Sequence, residues 1–149
     1  MQASPNVAQR ETRFVVERSF TAAPARVWEA WTQAAALGSW FGPEGIEIVD
    51  VEIDLRIGGH YRIVMQAGDG ERQEVGGTYQ EIAPLEKLVF TWAWHTTPER
   101  ESLVTVALSP AGSGTSVSIT HERFNDHAAA ERHLQGWTSS LNKMATLLS

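Results

Sequence analysis

A single change of period constrains this chain more than anything else in it. From Ile46 to His121 the apolar residues recur every second position, in short runs broken by turn residues. From Asn125–Asp126 onward they recur at helical spacing, with Leu134, Trp137, Leu141, Met144 and Leu148 on one stripe. Strands gathered together and followed by a helix call for an antiparallel sheet, not alternating parallel units. One face of such a sheet is apolar and must be covered. The last helix is the only element long enough, so a curved sheet wrapped around it is expected.

The earlier residues fit this plan. Arg13 to Phe20 alternates as a strand, with Phe14, Val16, Arg18 and Phe20 on one face. Pro24 suits the first turn of a helix, and Val27, Trp28 and Trp31 follow on one side of it. Ala34 to Leu37 reads as a second short helix ended by Gly38. Trp40-Phe41-Gly42-Pro43 leaves it as a loop. The strands that follow centre on Ile46–Ile53, Tyr61–Met65, Gln73–Ile82, Leu88–Trp94, Val104–Leu108 and Val117–His121. Gly76-Gly77 marks a bulge or a close backbone approach. The order is α+β: about seven strands, two short helices after the first, and a long C-terminal helix. Residues 12–149 form one expected domain, preceded by a polar, flexible N-terminus over residues 1–11.

Composition removes several functions. A net charge of −6 gives no footprint for nucleic acid. The absence of cysteine excludes disulfides, thiolate metal sites and cysteine nucleophiles. Met1 to Arg10 lacks the basic start and apolar core of a signal peptide, and no apolar run reaches membrane-spanning length. A soluble cytoplasmic protein without membrane insertion is expected.

Several separated motifs resemble one known family in the same order. They are AAPARVWEAWT, WFGP, DLRIGGHYRIVM, LVFTWAW and GWTSSLNKMATLL. The chain is similar over about residues 12–148 to the activator-of-heat-shock-protein-ATPase homologues of the START-like (SRPBCC) superfamily. The resemblance implies the helix-grip fold of the birch pollen allergen, with a deep cavity between sheet and long helix. It implies no shared catalytic set, because the superfamily spans lipid carriers, hormone receptors and cyclases.

No chemical motif stands out. Gly112-Ser113-Gly114 falls in a hairpin turn and is not a nucleophile elbow. The glycine pairs lack phosphate-loop spacing and its lysine. His127 and His133 lie six apart on a helix, which is poor spacing for a metal pair. Glu47, Asp50, Glu52 and Asp54 read as the solvated face of a strand. No catalytic residue, metal or cofactor is assigned.

What remains is a set of candidate ligand contacts. Trp28 and Trp31 read as core, while Trp40 and Phe41 read as the rim of a cavity mouth. Trp92, Trp94 and Trp137 divide between core and cavity wall, with Met65 and Leu141 as apolar contacts. Arg18, Tyr61, Tyr79 and His121 are the polar groups that would orient a ligand. The leading expectation is binding of a hydrophobic small molecule in an internal cavity. A cyclase- or hydrolase-like enzyme using His121 or Tyr79 is the second, and a stress or chaperone accessory module is the third. A homodimer is left open.

Overall fold

The computed structural model describes residues 12–148, so the expected flexibility of residues 1–11 lies outside the described residues. Strand β1 (Phe14–Phe20) leads into helix α1 (Pro24–Thr32) and helix α2 (Ala34–Gly38). Strands β2 (Glu47–Ile53), β3 (His60–Gln66), β4 (Arg72–Ala83), β5 (Lys87–Trp94), β6 (Ser102–Ala111) and β7 (Gly114–Glu122) follow. Helix α3 (His127–Leu148) ends the described chain. The strands form one antiparallel sheet in the order β1-β7-β6-β5-β4-β3-β2.

The alternation seen in the sequence is the burial pattern of β6 and β7, whereas β5 is buried on both faces from Leu88 to Trp92. In β7, Val117, Ile119 and His121 are buried and Ser116, Ser118 and Thr120 are partly exposed. The sheet is curled, and α3 lies on its inner side, where Trp137, Leu141, Met144 and Leu148 join one core with the inward residues of the strands. Burying side chains of this size stabilises the helix by roughly 1.5–3 kcal/mol each. Asp126 starts α3 as expected: its carboxylate accepts the Ala129 N–H at 2.8 Å, which satisfies one donor left free by the first turn.

Two irregularities interrupt the register of the sheet. The β2–β3 register shifts between Ile48 and Asp50, so Ile48 and Val51 face the same way although three residues apart. Gly76 and Gly77 mark a close approach, and the register shift in β4 falls further on, between Tyr79 and Glu81. A Cβ at Gly77 would stand 2.0 Å from the Thr91 carbonyl oxygen. Only glycine lets β4 and β5 come this close.

The α1–α2 pair packs at one end of the sheet. Val27, Ala30 and Trp31 are buried on α1, and Leu37 on α2. The Trp40 indole N–H donates to the Ala30 carbonyl at 2.9 Å and ties the loop after α2 back to α1. Trp40 and Phe41 are therefore both buried, not a solvent-facing rim.

Among the described residues no helix is long and apolar enough to cross a membrane. The acidic stretch on β2 faces water, and Arg62 of β3 reaches its Asp50 at 2.8 Å and Glu52 at 3.5 Å, and Glu74 of β4 at 3.2 Å. No group of His, Asp and Glu among the described residues is arranged to hold a metal ion.

Candidate functional site

The interior of the grip contains two neighbouring regions, one apolar and one polar. The apolar region is a cavity of about 20 Å³. Trp31 and Leu37 wall it from the short helices and Phe41 from the loop after them. Tyr61, Ile63, Tyr79, Leu88, Phe90 and Trp92 wall it from β3, β4 and β5. Every lining side chain is uncharged. The rings pack against one another, with Tyr61 edge-on to Phe90 at 5.2 Å and Phe41 at 5.9 Å from Trp92.

Four polar side-chain atoms belong to the residues of these walls, two phenol oxygens and two indole nitrogens. The Tyr61 hydroxyl donates to the Thr91 carbonyl at 2.6 Å. Burial, chiefly, raises the Tyr61 phenol well above its ordinary pKa, and burial also raises Tyr79, so both are neutral phenols. The other two atoms are the indole nitrogens of Trp31 and Trp92, which are buried and have no protein acceptor. An indole N–H is a donor only, and leaving one unsatisfied costs about 1–3 kcal/mol.

The polar region lies on the far side of Trp92, whose ring is 5.4 Å from that of His121. His121 is fully buried, and both its ring nitrogens are bonded. The Trp137 indole donates to Nδ1 at 3.0 Å, so Nδ1 must be an acceptor. The neutral ring then carries its proton on Nε2 and donates it to Ser102 Oγ at 2.8 Å. Ser102 passes its own hydrogen to the Trp92 carbonyl at 3.1 Å. His133, 5.3 Å away, is the opposite tautomer. Its Nε2 accepts from the Trp94 indole at 2.9 Å and its Nδ1–H donates to the Ala129 carbonyl at 2.7 Å. Burial, first, and the neighbouring His133 hold His121 well below the ordinary histidine range. Burial, partly opposed by the Ala129 bond, lowers His133.

This arrangement bears on the enzyme expectation. A serine activated by histidine needs a ring nitrogen free to accept the hydroxyl proton. Here Trp137 occupies one nitrogen and forces the other to be a donor. Ser102 and His121 are within hydrogen-bond distance, but their protons run in the wrong direction for a nucleophile and its base.

Of the residues named from the sequence, Phe41, Tyr61, Tyr79 and Trp92 wall the cavity. Trp40, Met65, Trp137 and Leu141 are core neighbours outside it, and Trp94 holds His133. His121 faces inward but toward Trp137 and Ser102. Arg18 does sit on the inward face of β1, yet it donates to Asn142 of α3 in a solvent-exposed position. It meets neither the carboxylate nor the anionic ligand that a buried arginine would need. Trp31 is the main correction in the other direction. Its helical phase placed it in the core, but it also walls the cavity. Its missing acceptor is a tertiary property that no local pattern announces.

A curled antiparallel sheet gripping one long helix, with two short helices at its end, defines the START-like helix-grip class. The chain belongs to the family described as Activator of Hsp90 ATPase homolog 1-like protein, whose model matches residues 21–149. Among solved structures it is similar to a protein from Chromobacterium violaceum (30% identity, 92% of this chain and 96% of that one, TM-score 0.85). It is also similar to the AHSA1 protein from Silicibacter pomeroyi (33% identity, 91% and 96% coverage, TM-score 0.82). A third is a protein from Rhizobium leguminosarum (28% identity, 91% and 93% coverage, TM-score 0.77). No curated protein matches the chain in sequence.

Proposed function

We propose that this protein binds a hydrophobic small molecule between the concave face of its sheet and its short helices. The observation that carries the proposal is the cavity wall, built from apolar and aromatic side chains of separate elements with no charge among them. Small-molecule sites commonly take this form.

The volume of about 20 Å³ seats roughly one water molecule, so a ligand enters by displacing side chains. The segment placed to move carries Phe41. It is fastened to α3 by Lys143 Nζ, which donates to the Gly42 carbonyl at 2.9 Å and the Phe41 carbonyl at 3.4 Å. A second tie is the Glu44 N–H, which donates to Ser139 Oγ at 2.9 Å. Gly42 and Gly45, on the C-terminal side of Phe41, both have positive φ, a backbone conformation that glycine adopts at little steric cost. Such a site is a minor open state that the ligand makes dominant.

The test is titration with toluene and naphthalene, read by tryptophan fluorescence and melting temperature. Naphthalene should quench fluorescence and raise the midpoint. Phe41→Leu, which removes part of the filling ring, should strengthen naphthalene binding, and Lys143→Met should speed it. Unchanged fluorescence and melting in both wild type and Phe41→Leu would end the proposal. The interaction-module alternative has less behind it. The exposed large apolar residues Val15, Val49, Leu55, Ile57, Leu85 and Leu147 are distributed over β1, β2, two connections and α3.

A further inference from the structure

Five of the six tryptophans divide into two groups by what their indole N–H groups reach. Trp40, Trp94 and Trp137 each donate to a protein acceptor: the Ala30 carbonyl, His133 and His121. Trp31 and Trp92 are buried to 2% and 5% exposure and reach none. These two are also the tryptophans that wall the cavity. Trp28 is half-buried and packs against the edge of the core.

The coincidence has a chemical meaning. Buried indoles ordinarily find an acceptor within the protein, as the other three do here. Here the fold withholds one at two positions that flank a single cavity, one on α1 and one on β5, and an occupant of that cavity is the group that can supply it. Tyr79 walls the same cavity. It is a neutral phenol able to donate as a third group.

We infer that the ligand is an uncharged, largely aromatic molecule carrying a hydrogen-bond acceptor, a carbonyl or ether oxygen, that takes the indole N–H groups of Trp31 and Trp92. The inference rests on the proposed pocket and narrows what it takes. A hydrocarbon would leave both donors unpaired. A carboxylate or ammonium would enter a site whose lining has no opposite charge, and an uncompensated buried ion is strongly disfavoured. A site built to donate hydrogen bonds also discriminates against an analogue that lacks the acceptor.

The test compares acetophenone with ethylbenzene, which replaces the carbonyl by a methylene at nearly the same shape, and with benzoate. Affinities are read by fluorescence, and indole N–H signals by two-dimensional ¹H–¹⁵N NMR. In a pocket without free donors the ketone binds about tenfold or more weakly than the hydrocarbon, because its oxygen is desolvated without return. Here acetophenone should bind at least as tightly as ethylbenzene and move the Trp31 and Trp92 indole signals downfield. Trp31→Phe and Trp92→Phe should each shift the preference toward ethylbenzene by about fivefold to tenfold, while ethylbenzene itself still binds.

Tighter binding of ethylbenzene with unmoved indole signals overturns the inference and leaves the pocket standing. Benzoate binding as tightly as the ketone overturns the uncharged class. Failure of all three to bind at their solubility limits overturns both the inference and the pocket.

Discussion

Acid should destabilise this protein through His121 in a way that one substitution can isolate. In the folded state the ring is fully buried, with Nδ1 already receiving the Trp137 N–H and Nε2 donating to Ser102. Adding a proton would place an N–H on Nδ1 against another N–H, in a site with no carboxylate partner. The folded pKa is therefore depressed, chiefly by burial. The unfolded chain takes up that proton near the ordinary histidine value of about 6.5, so it binds more protons than the native state below this pH.

Stability is accordingly fully present above about pH 6.5 and falls as the pH drops below it, until the folded ring itself titrates. For a ring still neutral at pH 5.0, the loss between pH 7.5 and pH 5.0 is about 2 kcal/mol. That is a large share of a typical total of roughly 5–15 kcal/mol. His133 adds a smaller loss of the same sign, because it is partly exposed and its Ala129 bond opposes the shift. The assay is urea unfolding of the wild type and His121→Gln at both pH values. His121→Gln is less stable at pH 7.5, and the gap should narrow by about 2 kcal/mol at pH 5.0, because the variant has no buried ring to keep neutral. Other titrating groups are common to both proteins and cancel. A gap of equal size at the two pH values would refute the reasoning. So would ¹⁵N NMR showing His121 with its proton on Nδ1.

Two further outcomes concern the backbone. Leu85 is exposed with φ of 68° in the turn closed by the Glu86 N–H and the Ala83 carbonyl at 2.9 Å. Leu85→Gly should raise stability by about 1 kcal/mol in thermal melts by relieving that left-handed conformation. Gly77→Ala should lower stability by about 3 kcal/mol in the same assay, because its methyl meets the Thr91 carbonyl and β4 must move off β5.

The residues differ in how far they reveal their roles in isolation. Strand alternation in β6 and β7 and the stripe on α3 are local consequences of solvent on one side and core on the other, so they can be read directly. The uneven spacing of Ile46, Ile48, Val51 and Ile53 was also legible, and the bulge after Ile48 accounts for it. Trp31 was not, because helical phase says which side is buried and nothing about whether the N–H finds an acceptor there. His121 was read as a polar group free to orient a ligand, whereas both its ring nitrogens are taken, by Trp137 from α3 and Ser102 from β6. Such a relay exists only after the sheet closes on the helix. Arg18 kept its inward phase, but the curl of the sheet brings α3 near the edge strand, where Asn142 supplies the partner at the surface.

The seat of β1 at the edge of the sheet beside β7 has a consequence for biosynthesis. Phe14 pairs opposite His121, so the first strand leaves the ribosome well ahead of its only neighbour in the sheet. At about 5–20 residues per second, an apolar strand waits several seconds or longer with both edges unpaired. Unpaired apolar strands invite association between chains. Glu17 and Arg18 at the centre of Phe14–Phe20 interrupt the run with opposite charges, which acts as a gatekeeper during that wait. The arginine that looked like a ligand anchor is thus well placed to keep nascent chains apart before it settles against Asn142.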